Sequence, residues 1–171
     1  MICVDGMPLE GEVLACLRAS TAVVFQDYLR LKATVRENVV GGVGDRPGSD
    51  DDVARCLRQV GLLERVERLP HGTETVLGRE FANGQQLSVG EWQRLAIARA
   101  LYRKSRCVIL DEPTSAVDRQ SQQRIIEGMP DLFGERTLIV IAHQISTFAA
   151  VDRVVTLEMG QVACERSAAA L

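Results

Sequence analysis

The chain has 171 residues, 46% of them hydrophobic and 25% charged, which suits one globular domain with a single core and argues against a disordered chain. Its 20 Lys and Arg against 23 Asp and Glu give a net charge of −3, so no basic excess points to a nucleic-acid partner. Cys3, Cys16, Cys56, Cys107 and Cys164 lack C-x-x-C spacing, which speaks against a disulfide framework or zinc site, and no run approaches the about 18 consecutive apolar residues of a membrane span or has a signal-peptide start.

In chain order, Ile2-Cys3-Val4 before Asp5-Gly6 reads as a strand or hairpin arm closed by a turn pair. Glu10 to Arg18 reads as a weak helix, and Thr21 to Phe25 is a β-branched, apolar run that predicts a buried strand ending at Gln26-Asp27. Val40 to Ser49 is a break rich in glycine. Val53, Leu57, Val60, Leu63 and Val66 then recur at helical spacing, with capping candidates and negative charge from Ser49 to Asp52, and Gly61 divides the stretch into two helices.

Pro70-His71-Gly72 breaks the chain, and Thr73 to Gln86 is polar and irregular. Ser88 opens a long helix running through Leu101. Cys107 to Leu110 is a continuous apolar run, read as an inner strand buried on both faces, that ends in Asp111-Glu112. A helix over Gln120 to Met129 follows, then a second apolar run from Thr137 to Ala142 that ends at His143. Arg153 to Leu157, a turn at Met159-Gly160 and Gln161 to Cys164 form a closing hairpin.

Strands that alternate with helices predict an α/β fold with a mainly parallel sheet, whose ligands sit beyond the carboxyl ends of the strands. Gln26, Asp111-Glu112 and His143 each follow an apolar strand at that end, so one rim gathers the polar groups. Of two adjacent carboxylates, one can hold Mg²⁺, an ion that prefers oxygen ligands, and the other can accept a proton from an attacking water. A solvated strand end is the plainer alternative. Ser88 with Glu91 is a capping box, and Gly90 leaves room for an anion against the helix N-terminus; such a box also serves as a cap alone. His143 is either a packed histidine or a hydrogen-bond partner for a phosphate oxygen or a water.

The order and spacing of these segments resemble those of the ATP-binding cassette (ABC) ATPases over about residues 1–160. Val24 to Asp27 resembles their Q-loop. Leu87 to Leu101 resembles the signature LSGGQ-x-QR-x-x-x-ARAL, with Val89 in place of a glycine and Glu91 in place of a glutamine. Cys107 to Pro113 resembles the Walker B strand with its glutamate, Thr114 to Asp118 the D-loop, and Ile141 to His143 the H-loop. Thr34 to Val39 and Pro70 to Glu80 are similar to exporter cassettes.

The resemblance implies a P-loop NTPase-like fold with an inserted α-helical subdomain at about 31–102, between core parts at about 1–30 and 103–171. It implies ATP and Mg²⁺ as ligands. Two cassettes close head to tail, with Asp111 and Gln26 at the metal, Glu112 polarising the water, and His143 at the γ-phosphate. Gln26 also couples the site to the transmembrane part. Ser88, Val89, Gly90 and Glu91 clamp the ATP held by the opposite cassette, while Ser115 and Asp118 join the sites across the interface. The expected partners are a second cassette and a transmembrane domain, without nucleic acid, at the cytoplasmic face of a membrane.

No G-x-x-x-x-G-K-[ST] occurs, and neither Lys32 nor Lys104 follows a glycine loop. The expectation is therefore a cassette fragment without its N-terminal strands and P-loop helix, inactive and aggregation-prone alone. The alternative is a non-catalytic cassette completing a partner's ATP site. A soluble ABC protein acting on DNA or the ribosome is a third reading, disfavoured by the acidic charge balance.

Overall fold

The computed structural model describes residues 2–41, 49–78, 81, 84–113, 128–142 and 151–167. Cys3–Val4 (β1) and Met7–Pro8 (β2) form the expected short hairpin, with Asp5 and Gly6 at positive φ in its turn. Gly11–Ser20 (α1) forms where the sequence suggests a weak helix, and it buries no residue.

Thr21–Val24 (β3), Cys107–Asp111 (β4) and Thr137–Ile141 (β5) make a parallel sheet in the order β3-β4-β5. Its register sets Val24 beside Leu110, Leu110 beside Val140, and Asp111 beside Ile141, so the carboxyl ends of all three strands share one rim. Arg153–Glu158 (β6) and Gln161–Ser167 (β7) form the closing antiparallel hairpin around Met159-Gly160.

Between β3 and β4 lies a helical layer. Its members are Val35–Val40 (α2), Asp50–Gln59 (α3), Leu63–Glu67 (α4), a 3-10 turn at Gly72–Glu74, and Val89–Tyr102 (α5). Ser49 caps α3 by accepting from the Asp52 N–H, and Gly61, at φ +67, separates α3 from α4 as the sequence predicts. The helix α2 lies in a stretch for which the sequence pattern gave no element. Thr34 and Glu37 form a capping box there, and Val35 and Val39 turn fully inward. Backbone bonds from Val35 N–H to Thr75 O (3.1 Å) and from Leu77 N–H to Ala33 O (2.9 Å) tie the start of α2 to the segment after the 3-10 turn. Residues 128–133 are helical, past the expected helix end at Met129, and the rest of that expected helix lies outside the described residues.

The core is continuous from this layer to one face of the sheet. Val53, Leu57, Leu62, Val66, Leu95, Ala98 and Leu101 pack with Ala22, Val24, Val108 and Leu110, and α5 packs against α2, α3 and β3. The two apolar strand runs are buried on this face only: burial alternates along β4, and along β5 Ile139 and Ile141 are 46% and 47% exposed. Inner parallel strands are ordinarily covered on both sides. Among the described residues no helix covers the face that carries Val23, Ile139 and Ile141.

Gly41 ends α2 in the left-handed region (φ 56°, ψ 39°), its N–H donating to Glu37 O at 2.9 Å. A Cβ there would stand 2.7 Å from Cγ and Cδ of Arg99, a side chain pinned by its own hydrogen bonds. Gly41→Ala is therefore expected to destabilise the domain by about 1–2 kcal/mol from the backbone conformation alone. Chemical denaturation checks it, and unchanged stability would show that Arg99 yields freely.

Candidate functional site

The sheet rim gathers the first group of predicted residues. Gln26 stands two residues beyond β3, Asp111 is the last residue of β4, and Glu112 follows it. Glu112 has φ +46°, a conformation that costs a residue with a side chain about 1–2 kcal/mol and persists only where neighbours hold it. Its N–H donates to Ile141 O at 2.9 Å, so the end of β5 fixes the turn, and the buried Pro113 follows. The Glu112 carboxylate accepts a hydrogen bond from Gln26 Nε2 at 2.9 Å on Oε2. Two residues 86 positions apart thus meet at one rim, as the strand-end argument predicts.

The donor set fits a hard cation. Asp111 and Glu112 offer carboxylate oxygens, and Gln26, with its amide nitrogen on Glu112, offers its carbonyl oxygen. Among the described residues no group of three or more His, Cys, Asp and Glu could hold a metal ion by itself. Mg²⁺ is usually held by one or two carboxylates together with substrate phosphates, so this sparse set suits it.

The second group lies at the start of α5. Ser88 Oγ accepts from the Glu91 N–H at 3.3 Å, and the Ser88 N–H donates to Glu91 Oε2 at 2.7 Å, completing the predicted capping box. Ser88 and Val89 are exposed and Gly90 is half-buried, so this N-terminus opens outward with its partial positive charge. Glu91 would oppose an anion there, but Arg65 Nε on α4 donates to its Oε1 at 3.1 Å, compensating the charge. The sequence alone shows the glutamate and not its counter-ion.

Burial pushes the Glu91 pKa up, but hydrogen bonds from the Ser88 backbone and hydroxyl, together with the Arg65 charge, outweigh it and hold the carboxyl below the usual carboxylate range. A depressed folded-state pKa stabilises above the unfolded value of about 4.3 and is lost as pH falls through the lower folded value. Melting of the wild type is expected to fall more steeply in that acid window than melting of Glu91→Gln. Parallel acid limbs would contradict the coupling of this carboxylate to folding.

Two contacts join the groups. Tyr28 hydroxyl donates to Val89 O at 2.9 Å, which ties the segment after Gln26 to the first turn of α5. From α5, Arg99 reaches the same segment, with Nη1 donating to Leu29 O at 3.1 Å, Nε to Asn38 O at 2.7 Å and Nη2 to Asn38 Oδ1 at 3.1 Å. Asn38, fully buried, accepts from the Leu31 N–H and donates to Leu31 O and Thr34 O. The sequence reading predicts none of these contacts: Asn38 and Arg99 enter it only within the stretches Thr34 to Val39 and Leu87 to Leu101, and Tyr28 not at all. Their partners are up to 70 residues away, and only the polar character of Asn38 and Arg99 among apolar helix positions hints at them. His143, Ser115 and Asp118 lie outside the described residues.

Comparison with known proteins bears on the family and the fold. A family model described as ABC transporter matches residues 1–115. The chain is 43% identical to an ATP-dependent lipid A-core flippase of Cupriavidus metallidurans, covering 99% of this chain and 28% of that protein. It is 40% identical to a protein of the same description from Alkalilimnicola ehrlichii, over 92% of this chain and 26% of the other. A bacterial Atm1-family ABC exporter solved with ATP bound superposes with a TM-score of 0.82 at 32% identity, covering 98% of this chain and 29% of its own. The chain thus spans less than a third of the length of these proteins.

Proposed function

The chain belongs to the ABC transporter family, and from that premise we propose that it supplies the catalytic glutamate and the signature segment of an ATP-hydrolysing exporter domain. The observation that carries this reading is the Gln26–Glu112 hydrogen bond at the carboxyl rim of the parallel sheet. It brings an acceptor for a water proton beside an amide that can orient the water.

In the proposed reaction, Glu112 accepts a proton as a water attacks the γ-phosphorus of ATP in line with the leaving oxygen of ADP. Gln26 holds the Glu112 carboxylate at its Oε2 through its amide nitrogen, and its carbonyl oxygen is the atom that would reach the metal. Asp111 and Gln26 would hold Mg²⁺, which neutralises charge on the phosphates when bound. His143 would contact the γ-phosphate, and Ser115 and Asp118 would join the two sites across the interface. Such groups accelerate mainly by positioning and by stabilising charge as it develops.

Ser88, Val89, Gly90 and Glu91 act on the ATP of a second cassette, their exposed helix start presenting N–H groups to its phosphates. The β- and γ-phosphates take their remaining contacts from a phosphate loop, a motif these 171 residues do not contain. The uncovered sheet face, with Val23, Ile139 and Ile141, is a surface on which further protein would pack. Among the described residues no helix is long and apolar enough to cross a membrane, so the transport path would lie in other helices. Cargo on the lipid A-core pattern of the similar flippases is the first to try, with the domain at the cytoplasmic face.

The test is phosphate release by the full-length protein purified in detergent. Mg²⁺-dependent ATP hydrolysis, stopped by a chelator, is expected. A protein that binds ATP and releases no phosphate would overturn the reading.

A further inference from the structure

We propose that Tyr28 is a positioning residue for ATP hydrolysis: its hydroxyl holds Gln26 in register over Glu112 by anchoring the intervening chain to the first turn of α5. The inference rests on the catalytic reading of Gln26 and Glu112 given above.

The need for an anchor follows from where Gln26 sits. The chain leaves β3 at Val24 and has no helix or strand until Thr34 and Val35. Phe25, Gln26, Asp27, Leu29 and Arg30 are all exposed, so packing does little to hold this stretch. An exposed, irregular segment samples many conformations unless specific bonds tie it down. Gln26 nevertheless has to place its amide 2.9 Å from Glu112 Oε2.

Tyr28 supplies the nearer tie. It is half-buried, and its hydroxyl donates to Val89 O at 2.9 Å. The anchor is stiff, because α5 continues from Val89 into Trp92, Leu95, Ile97 and Ala98, all buried. The Arg30 guanidinium lies 5.3 Å from the Tyr28 ring centroid, within reach of a cation–π attraction that keeps the ring in place. The other ties, Arg99 to Leu29 O and Asn38 to the Leu31 backbone, hold the far side of the stretch and leave Tyr28 to set the side nearer Gln26.

The experiment is Tyr28→Phe in the full-length protein, which removes one oxygen and keeps the ring against Arg30. The expected result is a fall in kcat of about five-fold, the order of one lost hydrogen bond. The ATP concentration for half-maximal rate should not change, and the melting temperature should fall by no more than the about 2–4 °C of one lost hydrogen bond. A merely structural tyrosine would lower the melting temperature without that split. In the Gln26→Ala background, Tyr28→Phe should cost nothing further, since it acts through Gln26.

Wild-type kcat in Tyr28→Phe overturns the proposal, as does a double variant in which the two losses multiply. Absence of Mg²⁺-dependent hydrolysis in the wild type is a different result. It removes the functional reading, and Tyr28 falls with it.

Discussion

Glu112→Gln in the full-length protein is expected to lower ATP turnover by about 10²–10⁴-fold, the usual contribution of a positioned general base, while ATP still binds. The substitution is nearly isosteric. A glutamine can accept the same hydrogen bond from Gln26 Nε2 with its carbonyl oxygen, and the backbone bond from residue 112 to Ile141 O is untouched. What disappears is the negative charge and with it the ability to take a proton from water. Phosphate release and equilibrium binding of a fluorescent ATP analogue together check the prediction. Undiminished hydrolysis would remove Glu112 from the role of base.

The second large effect is on stability. Arg99→Leu is expected to destabilise the domain by about 3 kcal/mol, since it strips hydrogen bonds from Asn38 O, Asn38 Oδ1 and Leu29 O where Asn38 is 0% exposed. Burial already pulls the Arg99 pKa below the ordinary guanidinium value, a sign that its charge is desolvated and depends on these carbonyls. For a domain of this size the loss corresponds to a fall in melting temperature of about 6–12 °C. Arg99→Lys should recover only part of it, because a single ammonium cannot reach three acceptors set for a planar fork. Melting of the three proteins decides the matter; a leucine variant that melts with the wild type would show that water satisfies the carbonyls.

The parts of the fold legible in the sequence are those written in short-range patterns. The Asp5-Gly6 turn, the Ser49 cap, the break at Gly61 and the Ser88–Glu91 box each occupy a few consecutive positions, and all four are present. The same capping spacing occurs at Thr34 and Glu37, yet α2 has only six residues, too few for a hydrophobic period to declare it. The apolar run at Cys107–Leu110 correctly marks a parallel strand, but composition cannot tell one covered face from two, and β4 alternates.

At the site, the strand-end rule brings Gln26 and Glu112 together because parallel register is a property of the whole sheet. Tyr28 with Val89, Arg99 with Asn38 and Arg65 with Glu91 are contacts between elements far apart in the chain, and no local pattern announces them. Arg65 matters most to the reading, because its ion pair answers the charge of a glutamate at the helix start proposed to meet phosphate.

The start of α5 is proposed to work on the nucleotide of a second cassette. Val89 is 45% exposed there, so a photo-crosslinking amino acid can replace it with its reactive group pointing outward. Irradiating the full-length protein with and without Mg-ATP is the most direct test. A crosslink between two cassettes is expected, appearing only with nucleotide and accumulating when Glu112→Gln slows hydrolysis. Crosslinks confined to one cassette, or equally abundant without ATP, would contradict it.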